Sequence, residues 1–161
     1  MNRQFDYANV KNPEYFCDGR MEAYSDHAYY ASETDMLDGE SLFAESLNGI
    51  WKFHYARNYG AVIRGFEKEE YCCSSWDDIR VPAHIQMEGY DVPQYANTQY
   101  PWEGREDIRP GEIPEYFNPV ASYVKYFSVP ERMKGKRIFV SFHGSGKWSG
   151  SLVEWSFYRV Q

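Results

Sequence analysis

Apolar and polar positions alternate most regularly along Ile50-Trp51-Lys52-Phe53-His54-Tyr55-Ala56. Trp51, Phe53 and Tyr55 fall on one face of an extended chain and Lys52 and His54 on the other, which predicts a half-buried β-strand with an aromatic inner face. Before it, residues 1–45 are polar and hold no sustained period of 2 or 3.6, so they are read as an extended arm. The arm's tyrosines stabilise only when packed, which argues that it lies over another part of the protein. After the strand, Glu67, Lys68, Glu69 and Glu70 suit a short helical turn over Phe66 to Tyr71, with too few apolar positions for anything but a connector. Ile79-Arg80-Val81 and Ile85-Gln86-Met87 are read as short extended pieces, the second running into a turn at Glu88-Gly89-Tyr90-Asp91. Five prolines in the 27 residues from Pro93 to Pro119, interleaved with Tyr95, Tyr100, Trp102, Tyr116 and Phe117, exclude a helix. That composition predicts an ordered, irregular loop. Two further strands are expected at Ser122 to Val129 and Arg137 to Phe142, adjacent and antiparallel, with Pro130 to Gly135 as the link. Short strands, long turns and no sustained amphipathic helix point to an all-β fold, an antiparallel β-sandwich.

Composition narrows this picture. The 161 residues, 19.0 kDa in mass, suit one domain. With 43% hydrophobic and 19% aromatic residues, intrinsic disorder is excluded as the main state. The net charge is −7 and no basic cluster exceeds Lys134-Gly135-Lys136-Arg137, so no nucleic-acid partner is expected. No apolar run approaches the roughly 18 residues of a membrane span. The start, Met1-Asn2-Arg3-Gln4-Phe5-Asp6, lacks a signal-peptide core, so no membrane association and a cytoplasmic location are expected. Three cysteines, two of them the neighbours Cys72 and Cys73, are read as free thiols.

Tests for chemistry mostly fail. His27, His54, His84 and His143 are scattered, with no metal-ligand spacing, and are read as structural. There is no nucleophile elbow. Phe142-His143-Gly144-Ser145-Gly146-Lys147 superficially resembles a phosphate loop, but Ser141 stands where the first glycine is needed and Trp148 replaces the magnesium-binding Ser or Thr. Glu67 to Glu70 and Asp77-Asp78 read as solvated charge rather than a catalytic carboxylate pair. The densest unexplained feature is Tyr95-Ala96-Asn97-Thr98-Gln99-Tyr100-Pro101-Trp102. Rings beside amides suit a sugar, whose C–H faces pack on aromatics while its hydroxyls need donors and acceptors. Composition leaves the other reading open, a loop that packs its own rings into the core.

Several segments in order carry a family resemblance. Ser46-Leu47-Asn48-Gly49-Ile50-Trp51-Lys52-Phe53, Val81-Pro82-Ala83-His84-Ile85-Gln86, the Tyr95 to Trp102 loop and Asn118-Pro119-Val120-Ala121-Ser122-Tyr123 are similar to the N-terminal region of large bacterial β-galactosidases of glycoside hydrolase family two. Ser25-Asp26-His27 and Gly135-Lys136-Arg137 fit as well, so the resemblance runs from about Asn12 to Gly144. It implies an incomplete, galactose-binding-like jelly roll over 46–144, preceded by an arm over 1–45 that helps to hold an oligomer together. It also implies that the full-length enzyme hydrolyses terminal non-reducing β-D-galactose residues by a retaining mechanism. The two glutamates for that reaction lie in a later (β/α)8 barrel, so no catalytic residue and no cofactor is expected in this chain. A divalent metal and a monovalent cation are compatible with the full-length enzyme, as are a β-galactoside substrate such as lactose and a homo-oligomeric state. By resemblance Asn97 is the principal sugar-binding residue, with Tyr95, Tyr100 and Trp102 as neighbours. Alternatives are a free-standing carbohydrate-binding module and a fragment of a related β-glucuronidase or β-mannosidase. After Gly144 the family continues with a pattern like G-V-E-S-x-x-x-L-W-L-N-G, whereas residues 145–161 read as a frame-shifted translation of that segment. Trp155 has a single codon, and followed by serine as TCN it places a glycine where the shifted frame needs one.

Overall fold

The computed structural model describes residues 6–22, 25, 27–92, 97, 102–109 and 111–144. Its centre is the alternating aromatic segment, which forms strand β1 (Gly49–Ala56) as expected. β1 is flanked on both sides: β2 (Asp77–Val81) and β3 (Val120–Val124) each pair with it antiparallel, in the order β2-β1-β3. Trp51 faces Ile79 and Phe53 faces Asp77 across one ladder, while Phe53 faces Tyr123 and Ala56 faces Val120 across the other. The architecture is all-β and antiparallel, an incomplete β-sandwich with one three-stranded sheet among the described residues.

The predicted faces of β1 are present, and both are covered. On the aromatic face the Phe53 ring lies 4.5 Å from Tyr90 and 4.9 Å from Tyr123, and Phe53 is fully buried. On the opposite face Trp76 packs 5.4 Å from His54, and Lys52 pairs with Asp78 at 2.8 Å. Phe66 and Tyr71 pack in turn on Trp76. The expected connector therefore helps to line the core, which holds Cys73 and Trp76 beside Phe53, Ala56 and Ile79. It also forms no helix: Lys68 and Tyr71 each bond back three residues, to Gly65 and Lys68, giving two successive turns. Too few apolar positions are available to hold a helical stripe against the sheet.

Other expectations need correction. Ile85-Gln86-Met87 is not extended: the amides of Met87, Glu88 and Tyr90 bond back to His84 and Ile85, so these residues belong to the turn itself. The strand expected over 122–129 begins two residues earlier and stops at Val124. Beyond it, the Ile50 carbonyl is met by the Lys125 ammonium at 2.9 Å, a side chain standing where the ladder would continue. Residues 137–142 form no strand. Their alternation marks a face that could be buried, but a strand exists only where another backbone satisfies its polar groups, and Phe139 and Phe142 stay more than half exposed.

The arm is only partly extended. It contains a 3-10 turn at Tyr7–Lys11 and a one-and-a-half-turn helix, α1 (Glu33–Asp38). The Ser32 hydroxyl caps α1 by accepting from the Asp35 amide at 3.1 Å, and Gly39 closes it at φ 73°, a conformation that favours glycine. The arm is tied down at both ends. The Tyr7 ring stacks on Tyr59 at 3.7 Å, and Arg132 donates to the carbonyls of Leu42 and Ala44 and to Glu45. All three cysteines are free, with Cys17 and Cys72 exposed and Cys73 buried. No helix among the described residues is long and apolar enough to cross a membrane.

Candidate functional site

The end of β1, the approach to β3 and the proline-rich loop converge at one edge of the sheet. The ladder extends one step past β1, where the Asn118 amide donates to the Arg57 carbonyl at 3.1 Å. Asn58 donates its side-chain amide to the Tyr116 carbonyl at 3.3 Å, and Asn118 donates to the Tyr7 hydroxyl at 3.1 Å. Residues 116–118 are thus held from the β1 side and from the arm.

From the other side they are held by the loop. Trp102 to Arg105 form a hydrogen-bonded turn, with Gly104 at φ 74°. This aims Arg105 over the Phe117 ring, 4.1 Å from its centroid, while Arg57 lies 5.8 Å from the same ring. Next to Arg105, the Glu106 carboxylate accepts the amide hydrogens of three successive residues: Glu115 at 2.6 Å, Tyr116 at 2.8 Å and Phe117 at 3.4 Å. Desolvation opposes its charge, but the three amide donors together outweigh it and hold the carboxyl below its ordinary value. Glu106 therefore stays ionised and occupied, a structural acceptor rather than an acid. The Tyr55 hydroxyl at the end of β1 feels the same cluster: burial and Asp91 raise its pKa, and Arg105 and Arg57 only partly offset them.

The turn encloses a shallow recess of about 260 Å³ lined by Trp102, Glu103, Gly104, Glu106, Asp107 and Ile108. It offers one aromatic face beside carboxylates, a surface suited to a polyol with apolar C–H faces. Of the residues singled out from the sequence, Trp102 lines this recess and is half-buried. Asn97 lies in an exposed turn and is not among the lining residues. Tyr95 and Tyr100 lie outside the described residues, as does the segment 145–161. Glu106 and Arg105 went unread in the sequence, and Phe117 was read only as one of the aromatics of the proline-rich loop. The signal for Arg105 and Glu106 is the Trp-Glu-Gly-Arg-Glu-Asp run, where a turn-forming glycine brings charged residues next to an aromatic. Among the described residues no group of three or more His, Cys, Asp or Glu side chains is arranged to hold a metal ion.

Comparison with known proteins bears on this edge of the sheet. Residues 44–153 match the family model for glycosyl hydrolases family 2, sugar binding domain, a span that contains all three strands and the recess. The chain is 45% identical over 150 residues to a β-galactosidase of Halalkalibacterium halodurans, covering 92% of this chain and 14% of that protein. It is 42% identical over 135 residues to a β-galactosidase of Streptococcus thermophilus, covering 84% of this chain and 13% of the relative. A β-galactosidase large subunit of Latilactobacillus sakei is 35% identical over 147 residues, covering 84% and 24%. The chain thus spans less than a quarter of the length of each of these relatives.

Proposed function

The chain belongs to glycosyl hydrolase family 2, and from that premise we propose that it is the N-terminal, sugar-binding part of a β-galactosidase. The whole enzyme hydrolyses terminal non-reducing β-D-galactose residues, lactose being a representative substrate, and works in the cytoplasm as a homo-oligomer. The glutamate pair that a retaining glycosidase needs belongs to a later barrel, so this segment binds and positions sugar without cleaving it. Within it, residues 1–45 are the arm and 46–144 the partial jelly roll. Asn97 supplies one donor and one acceptor to sugar hydroxyls, Trp102 supplies an apolar face, and Tyr95 and Tyr100 flank them. The observation that carries this reading is the 45% identity, over 92% of the chain, to a protein named as a β-galactosidase.

The test is kinetic. The enzyme that contains this segment is expected to hydrolyse a chromogenic β-galactoside, and the 161-residue chain alone to show no turnover. Asn97→Ala in the whole enzyme should weaken turnover by about 1–3 kcal/mol, the cost of leaving a sugar hydroxyl without its partner. Unchanged kinetics would remove Asn97 from the site, and activity in the isolated chain, freed of host enzyme, would overturn the placing of catalysis elsewhere.

A further inference from the structure

One heavily bonded side chain at this edge of the sheet has no part in the functional reading. Three successive backbone N–H groups, those of Glu115, Tyr116 and Phe117, point at the single carboxylate of Glu106. Nothing in the regular secondary structure requires this, because β3 begins only at Val120 and the ladder toward Arg57 already closes at Asn118. The bonds cross between the two limbs of the proline-rich loop, nine to eleven residues apart in sequence. One limb carries Trp102 and the wall of the recess, and the other is anchored to β1 and to the arm through Asn58, Asn118 and Tyr7. Arg105, stacked over Phe117, seals the same junction with a second, independent contact.

We propose that Glu106 is the positioning residue of the sugar site. By capping the amides of residues 115–117 it fixes the Trp102 turn to the sheet and so sets the shape of the recess. Glu106 also lines the recess, but its carboxylate oxygens are taken up by those amides, so it acts on the site through the loop that it holds. A mobile loop would have to be ordered each time substrate binds, whereas a loop held by several charge-assisted bonds is already in place. This inference rests on the reading of the site as one for a β-galactoside, and its test separates the two.

In the whole enzyme, Glu106→Ala is expected to raise KM for a chromogenic β-galactoside on the order of tenfold to a hundredfold, with a smaller change in kcat. Glu106→Gln keeps an acceptor oxygen and should recover much of that loss. Partial unfolding alone would lower apparent kcat in proportion to the folded fraction and leave KM unchanged. In parallel, amide hydrogen exchange of residues 115–117 should accelerate in Glu106→Ala while β1 keeps its protection. An unchanged KM, or unchanged exchange at 115–117, would overturn the proposal. If the unaltered enzyme proved inactive on every β-galactoside, the functional reading would fall instead, and the exchange measurement would still decide whether Glu106 holds the loop.

Discussion

Tyr90 shows how a single side chain ties a turn to the sheet. Its ring packs on Phe53 and Tyr55, and its hydroxyl donates to the Asp77 carboxylate at 2.8 Å, joining the turn after β2 back to the start of that strand. Burial first, then the hydrogen bond to Asp77 and the charges of Asp77 and Glu88, push the phenol up to about 12. An acid whose pKa is higher in the folded chain than its unfolded value of about 10 favours folding while it is neutral. The stabilisation is therefore complete below that value and is lost as pH rises from about 10 through about 12. Subtracting the alkaline titration of Tyr90→Phe from that of the parent chain isolates this phenol. An inflection near 12 is expected, with exchange protection of β2 fading over the same window. An inflection at the ordinary tyrosine value would show that the ring and hydroxyl are not held. Residues of this kind escape sequence reading because their role lies in contacts made across turns. Asp77 reads as one of two exposed acids, and Glu106 as one charge among several. Asn97 and Trp102 stand out as an amide and a ring in a dense polar-aromatic loop, and the expected role of Asn97 comes from the resemblance of that Tyr-x-Asn-x-x-Tyr-Pro-Trp pattern to a family's.

Among the elements, β1 is the one on which the others depend, since both neighbouring strands pair with it and with nothing else among the described residues. It was also the most legible, because three aromatics at a spacing of two leave little alternative to a strand. Legibility fell wherever the decisive partner was distant. Nothing in 122–129 reveals that Lys125 would meet the Ile50 carbonyl and end the ladder. Nothing in 137–142 reveals that its alternation would find no neighbouring strand among the described residues. α1 is the reverse case, a helix whose capping serine, acidic first turn and terminal glycine were readable but outweighed by the polarity of the arm. If β1 organises the sheet through Phe53, then Phe53→Ala removes the ring that joins Tyr90 to Tyr123 and leaves a cavity costing about 3–5 kcal/mol. Exchange protection should collapse across all three strands together. Ile50→Ala, on the same strand but more than half exposed, should leave protection nearly unchanged. Equal effects from the two substitutions would mean that the strand is held by its backbone ladder rather than by the buried ring.

At the scale of the whole molecule, the described residues bury few side chains and leave large rings exposed. Among the described residues only Phe53, Ala56, Cys73, Trp76 and Ile79 form the buried apolar core, while Tyr126, Phe139 and Phe142 stay 68%, 57% and 59% exposed. Apolar burial is the main term that offsets the conformational entropy lost on folding, so a core this small leaves little net stability. The net charge of −7 opposes aggregation but does not cover exposed rings. The isolated 161-residue chain is therefore expected to bind a hydrophobic dye and to melt over a broad temperature range without a sharp calorimetric peak. Both signatures should vanish when the segment is part of the whole enzyme, where neighbouring domains can lie against the exposed rings. A sharp, reversible transition without dye binding in the isolated chain would show instead that this sheet and its small core suffice as an independent unit. That result would favour a free-standing carbohydrate-binding module on physical grounds, against the sequence identity that carries the reading as part of a larger enzyme.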